Sequence, residues 1–149
     1  MEAKDIKKKK VQEAHFVAML DIMITSNLLE LKTAQILKPF DLSTQQFNVL
    51  RILRGAHPNP LNLSDIQERM MDKMSNATRL VEKLRQKHLL TRDLCESNRR
   101  KVDIEITQQG LDLLTTLDPL LLENLEVFKQ QISKEEAITL SQILAKARQ

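Results

Sequence analysis

At 149 residues the chain is long enough for one domain and too short for two independent cores. An apolar fraction of 42% argues against disorder, and two Gly, four Pro, four Phe and no Trp or Tyr argue for helices and against an all-β sandwich or barrel. The net charge of +3 is small but unevenly placed: residues 43–107 carry twelve basic against eight acidic side chains, and residues 73–101 carry nine against three. A basic middle between near-neutral and acidic ends suits a chain that meets nucleic acid with its middle.

Taken in chain order, residues 5 to 37 read as one long helix. Phe16, Met19, Leu20, Met23, Ile24 and Leu28 recur at three- and four-residue spacings that would turn them inward. Lys38-Pro39-Phe40 should end it, because the residue before proline is pushed out of the helical region. Ser43 with Gln46 is a capping-box pair that opens a second helix, carrying Phe47, Leu50, Ile52 and Leu53 inward as far as Gly55. His57-Pro58-Asn59-Pro60 reads as a turn. Ser64 with Gln67 predicts a short helix through Met71, and a further start near Ser75 predicts one to about His88.

The period then changes. Val102, Ile104 and Ile106 alternate with Asp103 and Glu105, as in a half-buried strand, and Thr91 to Cys95 can pair back against it around a polar tip at Glu96 to Lys101. Leu111 to Ile132 forms another apolar stretch, broken or bent at Pro119, with Leu111, Leu114, Leu117, Leu121, Leu125 and Phe128 in one stripe. Ser133 and Glu136 cap a last helix carrying Ile138, Ile143 and Leu144. The fold class is mainly α with a small β-hairpin wing (α+β): a winged helix-turn-helix, its short helix pair followed by the hairpin.

On the helix after Ser75, Ala77, Leu80, Val81 and Leu84 share one face. Ser75, Arg79, Glu82, Lys83 and Gln86 lie opposite, with Asn76 and Thr78 on the flanks near its start. Such a helix presents its first turns to base edges in a major groove. Arg and Asn can bond guanine and adenine bidentately, while Ser, Thr and Lys reach phosphates. The hairpin tip Asn98-Arg99-Arg100-Lys101 places three cations where a minor groove or its phosphates could be gripped. With Lys73 and Arg92 from the same basic segment, the expected DNA-binding set is Lys73, Ser75, Asn76, Thr78, Arg79, Lys83, Arg92, Asn98, Arg99, Arg100 and Lys101.

Three stretches carry a resemblance to the MarR family of regulators: Leu63-Ser64-Asp65-Ile66; Ser75 through Leu84; and Asn98 through Thr107 followed by Gly110. The resemblance covers nearly the whole chain. It implies a bacterial-type, cytoplasmic transcriptional regulator, a repressor in the first instance, acting as a homodimer on double-stranded DNA with an inverted-repeat operator. It implies one domain over 1–149, with residues 43–107 as the DNA-binding part and residues 1–42 and 108–149 as dimerisation helices. The apolar surplus of residues 11–37, 111–132 and 134–148 agrees with that division. Two positions depart from the family pattern: Asn98 stands where the wing usually has Asp, two residues before Arg100, and His88 stands where a Gly commonly ends the recognition helix.

Family members often bind small aromatic acids, so a small-molecule effector is an open partner. Met19, Met23, Phe40 and Phe47 could line its pocket or simply be core. The lone Cys95 cannot form an internal disulfide, and His15, His57 and His88 have no metal-ligand spacing, so neither metal nor cofactor is expected. No Gly-rich phosphate loop, nucleophile elbow or paired-His motif is present, which excludes the usual enzyme classes. No run of eighteen apolar residues and no apolar segment behind the N-terminal lysines points to a membrane or to secretion. The alternative function is a winged-helix protein-interaction module without specific DNA binding.

Overall fold

In a computed structural model that describes residues 13–94, 97 and 100–149, the elements follow the expected order. Helix α1 spans Ala14–Leu37. Lys38 stays helical, and a 3₁₀ turn continues over Lys38–Phe40 with the proline at its start. The chain reverses at Asp41, which takes a left-handed conformation (φ 51°). Pro39 is accommodated in the first turn, where its missing N–H is no loss, so the break falls later than the residue before proline.

Helix α2 spans Thr44–Ala56 and starts with the expected capping box: Gln46 N donates to Ser43 Oγ at 3.1 Å and Ser43 N to Gln46 Oε1 at 3.3 Å. Gly55 lies inside it rather than ending it. Helix α3, Leu63–Arg69, begins two residues earlier than a start at Ser64 requires. Asn62 is its cap, with Asp65 N donating to Asn62 Oδ1 at 2.8 Å and Asn62 N to Asp65 Oδ2 at 3.2 Å. Helix α4, Ala77–Gln86, is capped by Asn76 rather than Ser75, with Arg79 N donating to Asn76 Oδ1 at 3.1 Å. His88 closes it in the left-handed conformation (φ 60°), in the place the family pattern gives to glycine.

Strands β1 (Leu90–Leu94) and β2 (Val102–Ile106) pair antiparallel with Leu90 opposite Ile106 and Leu94 opposite Val102. The turn before α3 adds a single bridge to this two-stranded sheet: Leu61 and Ile104 exchange backbone hydrogen bonds at 3.0 and 2.8 Å. Helix α5, Gln108–Gln131, is capped by Thr107 and runs unbroken through Pro119. Helix α6, Lys134–Ala147, starts with the Ser133–Glu136 capping box.

The core sits around α2. Val49, Leu50 and Leu53 meet Ile66 and Met70, Ala77, Val81 and Leu84 of α4, Leu90 and Ile104 of the hairpin, and Leu114 and Leu117 of α5, all buried. Burial at these spacings holds α4 by one face and leaves the other outward. Gly110 is required where α5 starts, since a Cβ there would lie 2.4 Å from Leu89 O and 2.7 Å from Ile106 Cγ1.

The ends are different. Of the α1 residues expected to turn inward, Phe16, Met19, Met23, Ile24 and Leu28 are exposed, as are Ile22, Leu29 and Leu31. No α6 residue is buried, and Leu122, Leu125 and Val127 of α5 are open too. Their periodicity signals a buried face, but nothing among the described residues covers it. By length and composition the segment Ala14–Phe40 could also cross a membrane, although it lacks an uninterrupted apolar run. It is tied to the winged-helix core at its far end, where Leu37 is fully buried and Thr44 Oγ1 donates to Glu30 Oε1 at 3.4 Å.

Candidate nucleic-acid interface

The outward side of α4 is built by subtraction. Ala77, Val81 and Leu84 are buried, so Thr78, Arg79, Glu82 and Lys83 are pushed to the opposite side, with Thr78, Arg79 and Lys83 exposed. The turn between α3 and α4 is braced by Gln67, whose Oε1 accepts from Ala77 N at 3.2 Å and whose Nε2 donates to Lys73 O at 3.3 Å. Met71 N donates to Asn48 Oδ1 at 2.8 Å, anchoring the same turn to α2. These bonds fix the start of α4 relative to the core.

The expected site residues separate into groups. Thr78, Arg79 and Lys83 stand together on the first turns of α4, with Arg92 exposed on β1 and Arg100 and Lys101 exposed at the hairpin end before β2. Asn76 is exposed, but its carbonyl oxygen is spent on the helix cap. Ser75 is half-buried, and its Oγ is buried without a hydrogen-bond partner among the described residues, so it faces the protein. Lys73 is exposed, with its ammonium donating to Glu68 O. Asn98 and Arg99 lie outside the described residues, as does Cys95.

Sequence reasoning left two arrangements unread. Glu82, in the middle of the outward side of α4, accepts from Arg85 Nε at 2.9 Å and Arg85 Nη2 at 2.7 Å, and from Gln86 Nε2 at 3.4 Å. The guanidinium holds the Glu82 carboxyl below its ordinary range, and the charge of Arg92 adds to this. The three-residue spacing of Glu82 and Arg85 was the available signal. Lys87, at the end of α4, donates to Asp41 O and to Gln46 Oε1 (3.2 Å), fastening the helix end to the turn before α2. No sequence pattern announces a contact across that separation.

Met19 and Met23 are 61% and 60% exposed, Phe47 belongs to the core and Phe40 is half-buried. These four do not enclose a ligand cavity within one chain. Among the described residues no cluster of His, Cys, Asp or Glu suits a metal ion.

Comparison with known proteins decides the class. A family profile described as MarR family matches residues 42–102, from the turn before α2 to the first residue of β2. Over residues 42–102 the chain is similar to the MarR family. These are transcriptional regulators and not enzymes. The HTH-type transcriptional regulator PecS of Dickeya dadantii is 28% identical over 123 residues, 81% of this chain and 74% of that protein. A MarR transcription factor from Planctomyces limnophilus is 28% identical in structure-based comparison, covering 90% of this chain and 97% of its own, with a TM-score of 0.69. The MepR–DNA complex of S. aureus is 25% identical over 87% of this chain and 94% of its own, with a TM-score of 0.77. The profile thus falls on the helix-turn-helix and hairpin, and the structural likeness to MarR-family proteins extends through the end helices.

Proposed function

We propose that this chain is a MarR-type, sequence-specific double-stranded DNA-binding regulator of transcription, acting in the cytoplasm as a homodimer on an inverted-repeat operator. The observation that carries the reading is the outward side of α4, where Thr78, Arg79 and Lys83 stand exposed on a helix fixed at both ends, beside the cationic hairpin end at Arg100 and Lys101. In this reading residues 43–107 bind DNA, with α4 in the major groove and the hairpin on the adjacent minor groove or its phosphates. Arg79 is the base-reading residue, Thr78 and Lys83 meet backbone and groove edge, and Lys73, Asn76, Arg92, Asn98, Arg99, Arg100 and Lys101 complete the set, while Ser75, its hydroxyl buried, drops out of it.

Residues 1–42 and 108–149 dimerise. The open apolar faces of α1, α5 and α6 support this, because surface of that extent is stable in water only when something covers it. A two-fold pair would place its two α4 helices on half-sites about one DNA turn apart. Repression then follows by occupying a promoter. A small-molecule effector acts by changing the spacing of the two helices.

The test is binding to the duplex upstream of the protein's own gene, titrated against salt and against a scrambled duplex. Arg79→Ala should lower discrimination between the two by about 1–3 kcal/mol, whereas Lys83→Ala should weaken both and reduce the salt slope by about one. Arg100→Ala should also weaken binding; unchanged affinity would remove the hairpin from the interface. Equal binding to both duplexes by the unaltered protein would favour the protein-interaction module instead.

A further inference from the structure

A carboxylate in the middle of a surface that meets DNA should be repelled by phosphates. Glu82 nevertheless occupies that place, and among the described residues its side-chain hydrogen bonds come from cationic or amide donors: Arg85 Nε at 2.9 Å, Arg85 Nη2 at 2.7 Å and Gln86 Nε2 at 3.4 Å. The geometry is the two-point fork in which a guanidinium is held in a fixed plane. Such a fork uses the Nε–H and one Nη2–H of Arg85. It leaves the two Nη1 hydrogens and the second Nη2 hydrogen without a partner among the described residues.

Arg92 stands on β1 opposite Ile104 and near enough to Glu82 for its charge to act on that carboxylate. Between the end of α4 and β1 lies an open depression lined by Arg85, Gln86, His88, Leu90, Thr91, Arg92 and Asp93. Strand alternation places Asp93 on the other face of β1 from Arg92. Glu82 thus carries the Arg85 fork and lies within reach of the Arg92 charge, beside a concave surface that both arginines line.

We propose that Glu82 is a positioning residue: it holds Arg85 beside Arg92 so that the free edge of the guanidinium receives one backbone phosphate of bound DNA. This rests on the DNA-binding reading above and divides α4 by role. Its first turns face bases through Arg79, and its last turn grips the backbone through Arg85, a residue outside the set read from sequence. Glu82 accordingly strengthens DNA binding although its charge has the wrong sign for it.

Binding of the full-length protein to the operator and to a scrambled duplex, each across a salt series, tests this with Glu82→Gln, Arg85→Ala and the double variant. Thermal unfolding of each variant serves as the check on folding. Glu82→Gln should weaken binding to both duplexes about tenfold, the scale of one charge-assisted hydrogen bond. Its salt slope should fall by about 0.9, the loss of one phosphate contact. Arg85→Ala should do the same, and the double variant should bind no more weakly than Arg85→Ala alone.

Equal or tighter binding by Glu82→Gln would overturn the proposal, because the carboxylate would then only repel DNA. Lost discrimination at an unchanged slope would also overturn it, making Glu82 a base-reading residue. A lower melting temperature with unchanged binding would reduce the fork to a helix-surface ion pair. If the unaltered protein bound both duplexes equally, sequence-specific recognition alone would fail, since the slopes on the scrambled duplex still measure the phosphate contact. If it bound neither, both readings would fall together.

Discussion

Gly110 shows how narrowly one residue can set the relation between the hairpin and the helix behind it. The first turn of α5 lies against the backbone leaving α4, and Thr107 both caps that turn and donates to His88 O at 2.8 Å. A methyl group at position 110 would meet a backbone carbonyl at 2.4 Å, and backbone cannot rotate away as a side chain can. Gly110→Ala should therefore destabilise the protein by about 1–3 kcal/mol, the range for overpacking a tight site, measured by denaturant unfolding. Gly55 is the control: a Cβ there meets nothing within 4 Å, so Gly55→Ala in the exposed last turn of α2 should leave stability unchanged or slightly raised. The sequence contains only two glycines, and their opposite roles were not legible from it. One was expected to end a helix and lies within it, while the other sits where three elements meet.

At the scale of elements, local chemistry was legible where the cap and its partner are close in sequence. The boxes at Ser43–Gln46 and Ser133–Glu136 form as the pattern says, and His88 takes the left-handed closing position. At α3 two overlapping patterns competed, Asn62 with Asp65 and Ser64 with Gln67. The winner was decided from outside: Leu61 is held in the small sheet by Ile104, so the helix starts immediately after it. Gln67 is thereby released to brace the start of α4. Pro119 bends the expectation in another way. The carbonyl it leaves without a donor belongs to Thr115 on the exposed side of α5, where water can serve it, while Leu114 and Leu117 hold the inner side in the core. Beside it, Asp118 accepts from both terminal nitrogens of Arg54 at 2.8 and 3.1 Å, joining α5 to α2. That bidentate pair is the most direct polar link between the winged helix and the long helix behind it. Asp118→Asn should loosen this joint; the check is faster amide exchange in α5 with little change in α4.

The whole molecule is marked by apolar faces that its described residues leave open. The periodicity of Phe16, Met19, Met23, Ile24 and Leu28 reads as a buried face, yet among the described residues these side chains are exposed. Single-sequence patterns report that a face wants burial and are silent about which chain supplies it. If a second copy covers it, placing a charge there should leave the winged-helix core intact while separating the chains. Ile24→Glu, at a position 49% exposed in the single chain, should give a folded monomer by light scattering with weakened DNA affinity. A dimer of unchanged stability would show that α1 lies outside the interface.

The central claim, a two-fold protein reading two half-sites through α4, is tested most directly by selecting bound sequences from a pool of random duplexes with the full-length protein. The account predicts an inverted-repeat consensus whose half-site centres lie about 10 base pairs apart, with Arg79→Ala relaxing the same positions in both halves. Enrichment of a single unsymmetrical site, or no enrichment above the starting pool, would contradict it.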